Sequence, residues 1–393
     1  MQEETDLRQL HPLPIYLDNN ATTPLHPEVS EAMKPFLGRV FGNPSSGHVY
    51  GVEARSAVTE ARAAVARLLG CSSSEIVFTG GGSEADNLAL RGVAGEWSRH
   101  RGRPGRLLIS AVEHPAVTAS AEALAEEGWT IDVVGVDGEG RVDPAEVESL
   151  LRDDTALVSI MHANNETGSV NPIGEIARLA RTRGILVHTD AAQSVGKLPT
   201  RVDDLGVDLL TVAAHKLHGP KGIGALYVRN GVDLRPVIPG GGQEGGRRAG
   251  TENLIGIAGL GAAADLAERE GLMAFSGRVQ DLRDRLHELL LEEIPDLVLN
   301  GPPVERLPNT LNVSVPGLRG PDLLDATPEV AASTGSACHE GEDRPSAVLT
   351  AMAKPPEIAM GALRLTLGLL SDTDDVERAA RALGEGVRRL RKQ

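Results

Sequence analysis

The strongest constraint on this chain is a rhythm. Short apolar runs rich in Val, Ile and Leu recur between stretches of helical periodicity, from about residue 52 to about residue 229. The runs are EIVFTG (75–80), RLLISAVEH (106–114), TIDVVGV (130–136), ALVSIMHANN (156–165), ILVHTD (185–190), VDLLTVAAHK (207–216) and GIGALYVR (222–229). VEARSAVTEARAAVARLL, SEADNLALRGVAGEW, AVTASAEALAEEG, PAEVESLLRD and IGEIARLARTRG supply the helices around them. Strands that are apolar throughout are buried on both faces, and their alternation with helices builds a mainly parallel sheet. The expected fold class is therefore α/β, a mainly parallel seven-stranded sheet with helices on both faces. The direction of GIGALYVR, close behind Lys216, is left open by the sequence. Ligands of such sheets gather beyond the carboxyl ends of the strands, where His114, Asn165, Asp190, Lys216 and Gly80 to Gly82 all fall.

A length of 393 residues exceeds what one core usually serves. A glycine-dense loop, VIPGGGQEGGRRAGTEN, precedes an alanine-rich helix starting near Leu254 and leading into a second unit that contains the strand TLNVSVPG. The expected division is a large domain over 16–262 and a smaller α+β domain over 263–393, joined by the segment 1–15. A formal charge of −16 opposes direct binding to nucleic acid or to an anionic membrane. The basic stretch from Arg99 to Arg106 reads as a solvated, glycine-broken loop. The opening MQEETDLRQLHPLP lacks an apolar h-region, and no run approaches 18 apolar residues, so the expected location is cytoplasmic. Two cysteines, Cys71 and Cys338, are too few for a disulfide scaffold. The 11 histidines show no close ligand spacing, so no metal site is expected.

Three features converge on one chemistry. Lys216 sits at a strand end before the restrained turn HGPKG, where burial lowers an amine's pKa toward reactivity; its competitor Lys221 lies inside the turn and reads as structural or solvent-facing. Asp190, at the end of ILVHTD, is a carboxylate that burial makes costly unless a cation pairs it; capping the segment AAQSVG is the plainer alternative. FTGGGSEADN is strand, glycine turn and helix, with Gly82 and Ser83 at a helix N-terminus that favours a dianion, or with Ser83 simply capping that helix. It lacks the GKS or GKT of a nucleotide loop. An amine for an aldehyde, a carboxylate for a pyridine nitrogen and a phosphate cradle are the protein parts of a pyridoxal 5'-phosphate site.

Around that trio, Gln193 lies three residues beyond Asp190 and offers an amide to the cofactor's phenolate oxygen. Asn165 does the same or stabilises a turn, and His215 offers a second phosphate donor. His114 suits ring stacking and proton transfer, against the role of an ordinary loop histidine. Arg364, flanked by apolar residues in MGALRLTLG, needs a partner, and a substrate carboxylate would satisfy it bidentately. Cys338 stands among Gly335, Ser336, His339 and Gly341 in a polar loop, the setting of a mobile thiolate that attacks sulfur or selenium. Cys71 reads as a packed, incidental thiol.

YLDNNATTPLHPEV, FGNPSSGH, NNETG, HTDAAQSVGK, AAHKLHGPKGIGALYVR, GGGQEGGRRAGTENL, LPNTLNVS and GSACHEG together resemble the cysteine desulfurases and the related selenocysteine lyases, class V aminotransferase-like pyridoxal phosphate enzymes of fold type I. The resemblance runs from about Tyr16 to about Gly368. It implies that Lys216 holds the cofactor aldehyde, His114 stacks on its ring, Asp190 faces the pyridine nitrogen, and Asn165 and Gln193 face the phenolate oxygen. It also implies phosphate contacts from Ser83 and His215, with Thr251 reaching across a homodimer. Arg364 takes the substrate carboxylate and Cys338 carries the persulfide. Ala213 stands where such desulfurases usually have a serine, removing one phosphate donor. ACH at Cys338 is what the lyases tend to carry. The implied activity is conversion of L-cysteine to L-alanine, with sulfur passed to an acceptor or scaffold protein. The alternatives are selenium release from L-selenocysteine, or a scaffold or regulatory protein that keeps the fold without turnover.

Overall fold

Twelve strands order the computed structural model, which describes residues 13–270, 272–335 and 344–392. After a two-residue strand β1 (Ile15–Tyr16) come β2 (Ile76–Thr79), β3 (Arg106–Ser110), β4 (Thr130–Val134), β5 (Thr155–Ser159), β6 (Leu186–Asp190), β7 (Leu209–Ala213) and β8 (Gly224–Val228). The last seven form one sheet in the order β2-β8-β7-β6-β5-β3-β4. β8 runs antiparallel to both its neighbours, β2 and β7, which resolves the direction the sequence left open. Every other pairing in the sheet is parallel. Because β2 and β7 both oppose β8, the carboxyl ends of β2, β3, β5, β6 and β7 share one edge.

Helices cover both faces, as the uniformly apolar strands require. Helices Val49–Leu69, Ile173–Arg181 and Leu254–Glu270 pack on one face, where Val58, Ile176, Ile257 and Leu260 meet Ile76, Val187 and Leu210. Helices Gly82–Arg101 and Pro115–Glu126 pack on the other, where Leu88, Val93 and Leu124 meet Leu107, Leu157 and Leu209. Gly261 lets two helices of the first face touch: a Cβ there would lie 2.6 Å from Cα and Cβ of Ala61, a contact that real side chains do not make. Ala263, Ala264 and Leu266 also belong to this core.

A second core is built on a three-stranded antiparallel sheet of β9 (Val298–Asn300), β10 (Thr310–Ser314) and β12 (Ala362–Thr366), with β10 central. Helices Leu272–Glu293 and Thr373–Leu390 supply Leu286, Leu290, Leu383 and Val387 to it. β1 pairs in parallel with β11 (Val330–Ala331), so Ile15 and Leu17 are buried in this smaller core although they come first in the chain.

The stretch from Arg99 to Arg106 differs from the solvated loop expected. The helix continues through Arg101, whose guanidinium lies 5.0 Å from the Trp97 ring centre, and Arg106 opens β3, paired with Asp132 at 3.2 Å and Asp154 at 3.1 Å. Glycine ends the helix at Gly102 with φ 69°, so the breaker acts at one residue and not over the whole run. Among the described residues no helix is long and apolar enough to cross a membrane, and no cluster of potential metal ligands occurs.

Candidate active site

Lys216, Asp190, His114 and the glycine turn follow the ends of strands β7, β6, β3 and β2. β7 runs into a single 3₁₀ turn, Ala214–Lys216, that drops the lysine amine over the sheet edge. There Lys216 Nζ donates to the backbone carbonyl of Asn20 and, at 2.8 Å, to that of Ala21. Burial, aided by the Arg364 charge, lowers its pKa to about 8, so a substantial fraction of neutral amine is available near neutral pH. Lys221 contacts the Thr23 carbonyl at 3.5 Å and stays exposed, in keeping with a structural role.

Asp190 ends β6 and is buried. Its Oδ1 accepts the Ala192 N–H at 2.8 Å, so the side chain caps a turn and not a helix. Burial raises its pKa, while the Ala192 N–H, His114 and Lys216 pull the other way; a protonated ring nitrogen against it would offset the desolvation. His114 is the N-cap of the helix that starts at Pro115 and accepts the Ala116 N–H through Nδ1 at 3.1 Å. That bond puts the proton of the neutral ring on Nε2, and burial keeps the ring neutral by lowering its pKa.

At β2 the chain passes from Gly80 through Gly81 into helix Gly82–Arg101. The N-cap is Gly81, with φ 148° and no side-chain bond, so Ser83 lies inside the first turn and does not cap. The glycine run has little room elsewhere: a Cβ on Gly82 would come within 3.3 Å of Ala213 Cβ. The Gly80 N–H is already bonded to Glu84 Oε2 at 2.8 Å; the N–H groups of the uncapped helix start, with Ser83 in the first turn, are of the kind that suits an anion. His215 approaches from β7 with Nδ1 3.2 Å from Thr22 Oγ1, and burial lowers its pKa to about 4. A neutral His215 is a hydrogen-bond donor to an anion through one ring nitrogen only.

Two expectations are corrected here. Arg364 on β12 is buried but already paired, its Nη2 with Asp18 Oδ1 at 2.8 Å and its Nη1 with the Asn165 carbonyl at 3.2 Å. Its Nε alone is buried without a partner, so a substrate carboxylate would share the guanidinium with Asp18. The turn after β5 is stabilised by Asn164, not Asn165: Asn164 Oδ1 accepts the N–H groups of Glu166 at 2.8 Å and Thr167 at 3.0 Å. Asn165 is half-buried, and its carbonyl accepts from Asn20 Nδ2 at 3.1 Å as well as from Arg364. Thr251 is exposed on the loop before helix Leu254–Glu270 and lines a cavity with Gly80, Arg248 and Glu252, apart from Lys216. Cys338 and its neighbours Ser336, His339 and Gly341 lie outside the described residues. Cys71 is partly buried with its thiol pushed up to about 12, chiefly by burial, which makes it a poor nucleophile.

The residue that sequence reasoning missed is Asn20. Its carbonyl takes bonds from Lys216 and, at 2.9 Å, from Gln193 Nε2; its Nδ2 donates to the Asn165 carbonyl at 3.1 Å and to Thr310 Oγ1 at 2.9 Å. Its Oδ1 accepts from Asn309 Nδ2 at 3.0 Å. Asn20 thus ties the large sheet's edge to the small sheet. The only sequence signal was the density of polar residues in LDNNATT directly after an apolar strand.

The fold and this geometry are those of a known class. The chain belongs to the aminotransferase class-V family, whose model matches residues 15–379. It is 47% identical to the cysteine desulfurase IscS of Dictyoglomus turgidum over 379 residues, covering 96% of this chain and 95% of the relative. With a cysteine desulfurase of Trichormus azollae it shares 46% over 381 residues, 96% and 94% of the two chains. A solved NifS-like protein superposes with a TM-score of 0.89 at 37% identity, covering 96% of this chain and all of that one. SspA in complex with cysteine superposes with a TM-score of 0.79 at 36% identity over 90% of this chain and 98% of the other. Within the class, the chain is an enzyme of the cysteine desulfurase type, and that family is pyridoxal phosphate-dependent.

Proposed function

We propose that this chain converts L-cysteine to L-alanine at the edge of the large sheet, with pyridoxal 5'-phosphate held by Lys216 and sulfur received by Cys338. The observation that carries the reading is the half-buried Lys216 amine, lowered to about 8, at a sheet edge shared with Asp190 and an uncapped helix N-terminus. The residues fit the cofactor: the Gly80 to Ser83 turn and His215 would hold the phosphate, Asp190 the ring nitrogen, His114 the ring face, and Gln193 and Asn165 the phenolate oxygen. Once bound, the cofactor supplies an electron sink for the substrate's α-carbon. Lys216, freed as a neutral amine, takes and returns the α-proton; His114, whose Nδ1 accepts the Ala116 N–H while Nε2 already carries the ring proton, has no free lone pair for that step. Arg364 orients the substrate carboxylate through Nε and the guanidinium edge it shares with Asp18. Cys338 thiolate then takes the substrate sulfur: the S–S bond forms as the Cβ–S bond breaks, leaving a persulfide for an acceptor protein's thiol.

Two copies of the chain complete the site in this reading, with Thr251 of each reaching the phosphate of the other. Thr251 is exposed on its loop, in keeping with that placement. The likeness to two cysteine desulfurases and to a neighbour solved with cysteine supports cysteine as the substrate. The test is alanine release from L-cysteine and L-selenocysteine side by side, in wild type and C338S. Sulfur release from cysteine is expected to fall at least about 100-fold in C338S, with the cofactor still bound. An unchanged rate would remove Cys338 from the mechanism, turnover confined to selenocysteine would favour the lyase, and no turnover of either would favour a scaffold role.

A further inference from the structure

A second lysine shares the interior with Lys216. Lys197 is buried, 5% exposed, and its Nζ donates to Gln193 Oε1 at 3.3 Å. Gln193 Nε2 donates at 2.9 Å to the Asn20 carbonyl, the same oxygen that receives Lys216 Nζ. The two amines are therefore joined by one chain of hydrogen bonds, from Lys197 through the Gln193 amide and the Asn20 carbonyl to Lys216. Both also line one small cavity, closed by Leu217, Leu266 and Leu369.

This chain fixes something that a glutamine cannot fix alone. A terminal amide turns easily, exchanging its oxygen and nitrogen. Here the Asn20 carbonyl only accepts and protonated Lys197 only donates, so both turn the amide oxygen toward the lysine and the nitrogen toward the carbonyl. One N–H of Gln193 is then spent on Asn20 and the second remains for a cofactor oxygen. No carboxylate pairs with Lys197 among the described residues, which leaves its charge, when present, to act on its neighbours. Burial lowers its pKa to about 7, assisted by Lys216 and Arg364. His215 and His218 feel its charge as well; Asp190 and Asp18 act on Lys216 with the opposite sign, and His114 is linked to Lys216. Helix Leu254–Glu270 presents only Ala263, Leu266 and Ala267 to this cavity.

We propose that Lys197 is a positioning residue for the cofactor site: it holds the Gln193 amide with its nitrogen toward the Asn20 carbonyl and the phenolate oxygen. The proposal rests on the reading that Lys216 captures the cofactor aldehyde. It is tested on the full-length protein stripped of cofactor, by following the borohydride-reducible adduct formed at Lys216 from added pyridoxal 5'-phosphate as a function of pH. K197R keeps a donor and makes the charge permanent, whereas K197M removes both in a side chain of similar volume. Equilibrium cofactor affinity is expected to fall about tenfold in K197M and to be restored in K197R. Because Lys197 loses its proton at a lower pH than Lys216, the midpoint for adduct formation is expected to be equal in wild type and K197M, so a loss of affinity at an equal midpoint separates positioning from charge. Wild-type affinity in K197M, or no recovery in K197R, would overturn the role of Lys197. If K197M does not fold, K197Q, whose amide can meet Gln193 with either atom, takes its place with the same expected loss. A wild type that forms no adduct at Lys216 would instead sink the parent reading, which separates the two failures.

Discussion

Two long helices of this enzyme begin in opposite ways. Helix Thr373–Leu390 opens with a capping box, in which Asp372 accepts the Asp375 N–H at 2.9 Å while the Asp375 side chain returns to the Asp372 N–H. Helix Gly82–Arg101 opens on Gly81 with no side-chain bond at all. The first end is closed by its own sequence and serves stability; the second leaves its N–H groups and its positive dipole end for something else. Glu84, the acid of the first turn, is paired with Arg248 at 2.8 Å and takes the Gly80 N–H at 2.8 Å, so the donors left open are those of the helix start itself. A helix start that lacks its own cap, beside a half-buried amine, is how this fold marks a ligand.

The contrast can be broken most severely by giving the open helix a charge of its own. S83D places a carboxylate in the first turn, where it favours the dipole but repels a phosphate. Cofactor affinity is expected to fall more than about 100-fold while the melting temperature of the cofactor-free protein holds or rises slightly. Equal affinity for S83D and wild type in an equilibrium titration would show that the phosphate binds elsewhere. At the closed helix the signs reverse. D372A is expected to cost about 1 kcal/mol of stability by denaturant unfolding and to leave cofactor affinity unchanged. A drop in affinity there would mean that the two ends are not independent. The smallest change sharpens the picture: A213S adds a hydroxyl near Gly82 and is expected to tighten cofactor binding only a few-fold, measured in the same titration. A loss would mean that the close approach of residue 213 to Gly82 tolerates no added atom.

Much of this was legible in the chain because periodicity and strand ends are local properties. All seven apolar runs became the seven strands of one sheet, and Lys216, Asp190, His114 and the glycine turn met at one edge because that is where parallel strands stop. What stayed hidden depends on contacts between distant residues. Nothing near Arg364 in sequence announces Asp18, 346 positions away, as its ion-pair partner. Asn20 shows the same limit: its role comes from meeting Gln193, Lys216, Asn309 and Thr310 at once, and no spacing rule reports that. Ser83 was readable as a cap because serine commonly caps, yet the backbone placed the cap two residues earlier, on a glycine whose φ of 148° an L side chain rarely adopts.

The pairing of the chain's beginning with its end sets a timetable for making the protein. Asn19 and Thr366, bonded through Nδ2 at 2.8 Å, are separated by 347 positions. At roughly 5–20 residues per second, the ribosome needs tens of seconds between them. Once β8 has been made, at Val228, the large sheet has all its strands, while Asn309, Thr310 and Arg364, which meet Asn20 and Asp18 at its edge, are still to come. Ile15 and Leu17 likewise lack the partners of the smaller core. Nascent molecules therefore pass through a stage in which the sheet edge is built and the Arg364 side of the pocket is not.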